Sequence, residues 1–97
     1  MMYGQKVVGK KAQTLVSKGA LLIDVRSPVA FRDGTLPGAV NMSLRQLSQL
    51  INKPKNTPIV VFGEGDDDPT LKSALNYISQ YGFSKVYSLG SKENWDR

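Results

Sequence analysis

Cysteine and histidine are both missing from this 97-residue sequence, and their absence narrows the possible functions more than any motif present. Without cysteine the chain can form no disulfide, thiolate metal ligand, thioester or persulfide intermediate, and it has no thiol redox chemistry. Without histidine it lacks the usual general base near neutral pH and the commonest metal ligand, so neither a Ser-His-Asp nor a Cys-His arrangement can be built from its own residues. No apolar stretch approaches the roughly 20 residues a membrane-spanning helix needs. The opening residues, with Lys6, Lys10 and Lys11, lack the continuous apolar core of a signal peptide. A cytoplasmic protein without membrane contact is therefore expected, in keeping with a cysteine-free chain.

What is present suits one compact unit. With 40% apolar residues the length supports one hydrophobic core but not two, so a single domain over residues 1–97 is expected. The formal net charge of +5 is unevenly placed: Glu64, Asp66, Asp67 and Asp68 supply half of the eight acids, against thirteen bases in the chain. A basic background suits nucleic acid or an acidic protein partner. The lysines are scattered without a run of five, which argues against nucleic acid.

Apolar periodicity alternates short strands with helices. Ala12, Leu15 and Val16 mark an amphipathic turn stopped at Lys18-Gly19. Residues 20–25 form an apolar run broken only by Asp24, as in a strand buried on both faces of a parallel sheet. Ser27-Pro28 reads as a helix cap and first helical residue, with Gly34 ending that helix. Leu44, Leu47, Leu50 and Ile51 recur at helical spacing, and residues 52–58 form a polar connection. Ile59 to Phe62 is a second buried strand, and Val86 to Leu89 a third. Between them lies a helix with Leu71, Ala74, Leu75, Ile78 and Tyr81 on its apolar side, closed by Gly82. Strands separated by helices imply an α/β fold with a parallel sheet and helices on both faces.

In such sheets ligands bind beyond the carboxyl ends of the strands, which places the loop Gly63-Glu64-Gly65-Asp66-Asp67-Asp68-Pro69 at the candidate site. A loop feeding a helix N-terminus offers free N–H groups and the positive end of a dipole, which suits an anion. Here the chain supplies its own carboxylates: Asp68 is placed as the cap, with Pro69 at the first helical position. Three readings of the acidic loop stand open: solvated helix capping, recognition of a basic partner through Glu64, Asp66, Asp67 and Asp68, and binding of a divalent cation by oxygen ligands, although the spacing is not that of an EF-hand.

The residues Leu22-Ile23-Asp24-Val25-Arg26, Phe31 with Gly34, Leu36-Pro37-Gly38-Ala39-Val40-Asn41, Ile59-Val60-Val61-Phe62, Tyr81-Gly82-Phe83, Leu89-Gly90 and Trp95 follow one another as the landmarks of the rhodanese homology domain do. The sequence resembles that family over about residues 12 to 95. The resemblance implies a three-layer α/β fold with a central, mostly parallel five-stranded sheet. Active members of the family carry a cysteine nucleophile at the start of the loop and usually an arginine at its close. These positions fall on Gly63 and Asp68, so the loop Gly63, Glu64, Gly65, Asp66, Asp67, Asp68 is degenerate and no catalytic residue is assigned. Thr35 stands where a histidine is common, Ala30 where a glutamate usually precedes the phenylalanine, and Ser91 where a second glycine is frequent.

Structural roles are expected for the remaining landmarks. Asp24 and Arg26 would satisfy loop backbone groups and each other, Pro37-Gly38 would make a turn, and Trp95 would cover the core's edge. The expectation is a rhodanese-like domain without catalytic activity, cofactor or metal, binding an unidentified and basic protein partner. The alternative is a sulfurtransferase component that works with a cysteine from a partner chain.

Overall fold

The computed structural model describes residues 4–97, and its elements alternate as the apolar pattern predicts. In chain order they are β1 (Gln5–Lys6), α1 (Gly9–Ser17), β2 (Leu21–Asp24), α2 (Pro28–Asp33), β3 (Val40–Asn41), a 3₁₀ helix (Arg45–Asn52), β4 (Ile59–Gly63), α3 (Pro69–Gln80), β5 (Val86–Ser91) and a closing 3₁₀ turn (Lys92–Asn94). The strands form one five-stranded sheet in the order β1-β5-β4-β2-β3. Every strand pairing is parallel, so the expected mostly parallel sheet is parallel throughout; the exception is an isolated antiparallel bridge between Glu64 and Ser91 outside the ladders.

Side-chain alternation along the central strands divides the core into two layers. Ile23, Ile59, Val61 and Val86 face α3 and the long 3₁₀ helix, packing with Leu71, Ala74, Ile78, Leu47 and Leu50. Leu22, Val60, Phe62 and Leu89 face the opposite way, onto Ala12, Leu36, Leu15, Val16 and Trp95. All five residues of β4 are buried, which explains why Ile59-Val60-Val61-Phe62 reads as an unbroken apolar run. The edge strands β1 and β3 are two residues each. Such short edges present few free backbone groups to a foreign strand.

The segment 44–51 departs from the periodic reading. Leu44 caps the 3₁₀ helix Arg45–Asn52, in which residues three apart eclipse one another, so Leu44, Leu47 and Leu50 align on the core while Ile51 turns away and is 50% exposed. Tyr81, expected on the apolar side of α3, is partly buried at its end. Ser27 Oγ accepts from the Ala30 N–H at the start of α2, where Pro28 needs no partner for its missing donor.

Candidate functional site

The carboxyl ends of β2, β4 and β5 bring together the loop 63–68, the segment 24–35 and the turn 91–95. Beside the loop, β5 carries a bulge. Val61 pairs with Ser88 but Phe62 pairs with Gly90, leaving Leu89 as the extra residue. Bulges re-aim the chain at such rims. This one brings Ser91 across from Glu64.

Gly63 ends β4 and is buried. The carboxylate of Asp68 folds back against it: Oδ2 accepts the Glu64 N–H at 3.0 Å and Oδ1 accepts the Thr70 N–H at 2.9 Å. A β-carbon placed on Gly63 would lie 2.5 Å from Asp68 Oδ2 and 3.1 Å from Leu71 Cβ. The position where the resemblance puts a nucleophile therefore has no room for a side chain while Asp68 stands there. Asp68 occupies the space beside Gly63 and the first free amide of α3 together. The anion that the loop and helix end favour is thus the chain's own carboxylate.

The other acids of the loop point elsewhere. Asp66 lies 3.5 Å from Lys6 Nζ, a pair too exposed to hold much free energy. Glu64 and Asp67 are exposed. The four carboxylates therefore do not converge on one point, and among the described residues no group of three or more acids is placed to hold a metal ion.

Deeper under the rim lies a polar knot. Asp24 is fully buried, and its Oδ1 accepts the Arg26 backbone N–H at 2.9 Å and Nε at 3.0 Å. Its Oδ2 accepts Arg26 Nη2 and the Thr35 hydroxyl, both at 2.8 Å. Burial pushes this carboxyl up, but the hydrogen bonds from Arg26 and Thr35, with the Arg26 charge, outweigh burial and hold it below the ordinary carboxylate value. The Asp24 carboxylate in turn raises the Arg26 guanidinium above its usual value. Arg26 Nη2 also donates to the Gly34 carbonyl at 2.7 Å, where Lys92 Nζ joins it at 3.1 Å, and the guanidinium stands 5.7 Å from the Phe62 ring centroid. Arg26 is thus committed inside the protein.

The turn expected at Pro37-Gly38 is closed by the Ala39 N–H donating to Leu36 O at 3.1 Å, with Gly38 at φ 81°. Asn41, just after it, donates through Nδ2 to the carbonyls of Asp24 and Arg26, both at 2.9 Å. Trp95 packs on the α1 layer, and its carbonyl accepts Gln13 Nε2. Sequence reasoning assigned no role to Thr35, Asn41 or Lys92. Thr35 stands out in the sequence only as the residue where the family commonly has a histidine and Asn41 only as the last residue of the Leu36–Asn41 landmark, and nothing local to Lys92 signals a contact with a residue 58 positions away.

Set beside known proteins, the chain matches the sequence pattern of the Rhodanese-like domain family over residues 9–97. It is 32% identical over 93 residues to the thiosulfate sulfurtransferase GlpE of Pseudomonas syringae pv. syringae, covering 94% of this chain and 86% of that protein. The GlpE of Ectopseudomonas mendocina is 31% identical, with coverages of 94% and 84%. Among solved structures, the Alr3790 protein from Anabaena superposes with a TM-score of 0.76 at 24% identity, covering 91% of this chain and 82% of that one. A rhodanese-like domain protein from Staphylococcus aureus superposes with a TM-score of 0.74 at 18% identity, covering 94% and 90%. At these identities the solved structures speak for the fold alone.

Proposed function

The chain belongs to the rhodanese-like domain family, and from that premise we propose that it does not transfer sulfur and instead serves as a protein-binding module. One observation carries the first half: the Asp68 carboxylate sits where a side chain on Gly63 would have to be, 2.5 Å from the site of its β-carbon. A sulfane group needs a thiolate to accept it, and the chain has no cysteine anywhere. The same carboxylate stands against the alternative of a partner's cysteine, because the amides that would receive an anionic intermediate already hold an anion.

The binding role rests on what the loop presents outward. With Asp68 engaged internally, the exposed charges are those of Glu64, Asp66 and Asp67. They fit a lysine- or arginine-rich partner surface, which would relieve their mutual repulsion. Cytoplasmic location is part of this reading, and it is compatible with the finding that no helix among the described residues is long and apolar enough to cross a membrane.

Two measurements test the proposal. In a thiosulfate-to-cyanide assay the purified chain is expected to match buffer while a GlpE relative turns over; turnover by this chain overturns the inactive reading. Co-purification from native extract, repeated with Glu64→Gln, Asp66→Asn and Asp67→Asn together, is expected to lose one specific companion. An unchanged set of companions would remove the loop from the binding role.

A further inference from the structure

All eight carboxylate side chains lie on segments at the carboxyl end of the sheet or in its last turn: Asp24, Asp33, Glu64, Asp66, Asp67, Asp68, Glu93 and Asp96. The opposite end, where the connections enter β2, β4 and β5, carries exposed Lys18, Lys53, Lys55 and Lys85 and no acid. These three strands are neighbours in the sheet, so the lysines gather at one end of it. Part of this charge answers the helix dipoles, since α1, α3 and the 3₁₀ helix all finish at that end, and Lys55 Nζ donates to Ile51 O at 2.9 Å. Helix ends of about half a charge each leave most of the four lysine charges uncompensated.

A second feature adjoins this end. Strand β3 pairs only with Ile23 and Asp24, so on the side away from β4 the first half of β2 has no strand beside it. The gap is a groove of about 240 Å³ between the edge of β2 and the 3₁₀ helix, lined by Leu21, Val40, Met42, Gln49 and Leu50, with Lys53 at its rim. Val40 is 52% exposed there. The groove lies below the roughly 300 Å³ at which small-molecule pockets begin. It has room for one large apolar side chain.

We propose that this groove docks a short acidic segment of a partner protein, which inserts one apolar anchor between Val40 and Leu50 and sets its carboxylates against Lys53 at the rim, within the positive field of the other lysines at this end of the sheet. Charge complementarity selects the occupant, because a basic segment would meet only lysines at this end. Nucleic acid fits less well: four lysines, no arginine and an apolar groove offer few phosphate contacts and no base readout. The site stands apart from the acidic loop, so neither reading depends on the other.

The test uses the full chain at low salt and a fluorescently labelled ten-residue peptide of glutamate and aspartate with a central leucine. Its central-serine counterpart and a single-stranded DNA oligonucleotide of equal charge serve as comparisons. The leucine peptide is expected to bind at least about tenfold more tightly than the serine peptide, the factor one buried apolar anchor supplies. Val40→Glu and Lys53→Glu should each weaken the leucine peptide by about tenfold or more, while Lys72→Glu on the exposed first turn of α3 should not. Equal affinity for the two peptides overturns the proposal. So does DNA binding as tight as the leucine peptide, or the same loss in Lys72→Glu as in Lys53→Glu, since each would mark a diffuse polyanion attraction. No binding of the leucine peptide at millimolar concentration overturns it as well.

Discussion

At the scale of single residues, Gly63 and Asp68 form a coupled pair, and so do Asp24 and Arg26. A methyl group at position 63 collides with Asp68 Oδ2, so Gly63→Ala is expected to destabilise by about 1–3 kcal/mol in urea unfolding. Asp68→Ala alone should lose about 1 kcal/mol with the cap. The double variant should lose less than the sum, because removing the carboxylate makes room for the methyl group. Additive losses would show that the two side-chain positions do not meet. In Gly63→Cys the thiol is expected to titrate near or above the free value of about 8.5, since the adjacent carboxylates oppose thiolate formation. Alkylation rate against pH reads this directly.

The Asp24 carboxyl is lower in the folded chain than in the unfolded one. Its contribution is fully present above the unfolded value of about 3.9 and is lost as pH falls through the lower folded value. Stability should therefore drop below about pH 4. Arg26→Ala leaves a buried carboxylate without its cation and should cost about 3–5 kcal/mol near neutral pH. In that variant mild acid should restore part of the loss, because protonation removes the unpaired charge. Thermal unfolding from pH 7 to pH 4 checks the reversal of sign.

At the scale of elements, α3 was legible because two independent signals agree: Asp68-Pro69 opens it, and Leu71, Ala74, Leu75 and Ile78 recur at its turn spacing. The segment 44–52 was legible only as helical. Leu44, Leu47 and Leu50 at intervals of three satisfy both α and 3₁₀ geometry, and the choice between them decides where Ile51 points. Leu47→Ala is expected to destabilise by about 2–5 kcal/mol, and Ile51→Ala by no more than about 0.5 kcal/mol. Comparable losses at both positions would mean that Ile51 is buried and the segment winds as an α-helix. Strands β1 and β3 escaped the periodic reading because two residues cannot display an alternation. They are strands only because β5 and β2 lie alongside them.

At the scale of the whole molecule, the start of α1 is closed onto the chain's last turn. A β-carbon on Gly9 would run into the carbonyl oxygens of Asn94 and Trp95, and Gln13 reaches the Trp95 carbonyl at 2.6 Å. Gly9→Ala should therefore lower Tm, whereas alanine for glycine in an open helix raises it. Each 1 kcal/mol lost corresponds to about 4–8 °C in a chain of this size. A shift in fluorescence of the sole tryptophan should accompany it as Trp95 is displaced. The two-ended charge distribution belongs to this scale too. In a parallel α/β fold the crossover helices run back against the strands, so Asp68 at the start of α3 and Lys18 and Lys53 at the ends of α1 and the 3₁₀ helix each meet a helix terminus of opposite sign.

Sequence alone determined the alternation of strands and helices, the burial of β2, β4 and β5, the cap of α3 and the absence of any sulfur or imidazole nucleophile, because each is a property of residue type or of spacing along the chain. Tertiary structure alone decided that Asp68 turns inward onto Gly63, that Arg26 and Lys92 meet at one carbonyl, and that the shortness of β3 leaves a groove beside β2. The reason is physical. Periodicity reports which face of an element is apolar, whereas the direction of a carboxylate or the length of an edge strand depends on which distant amides and backbones come within hydrogen-bonding reach once the layers pack.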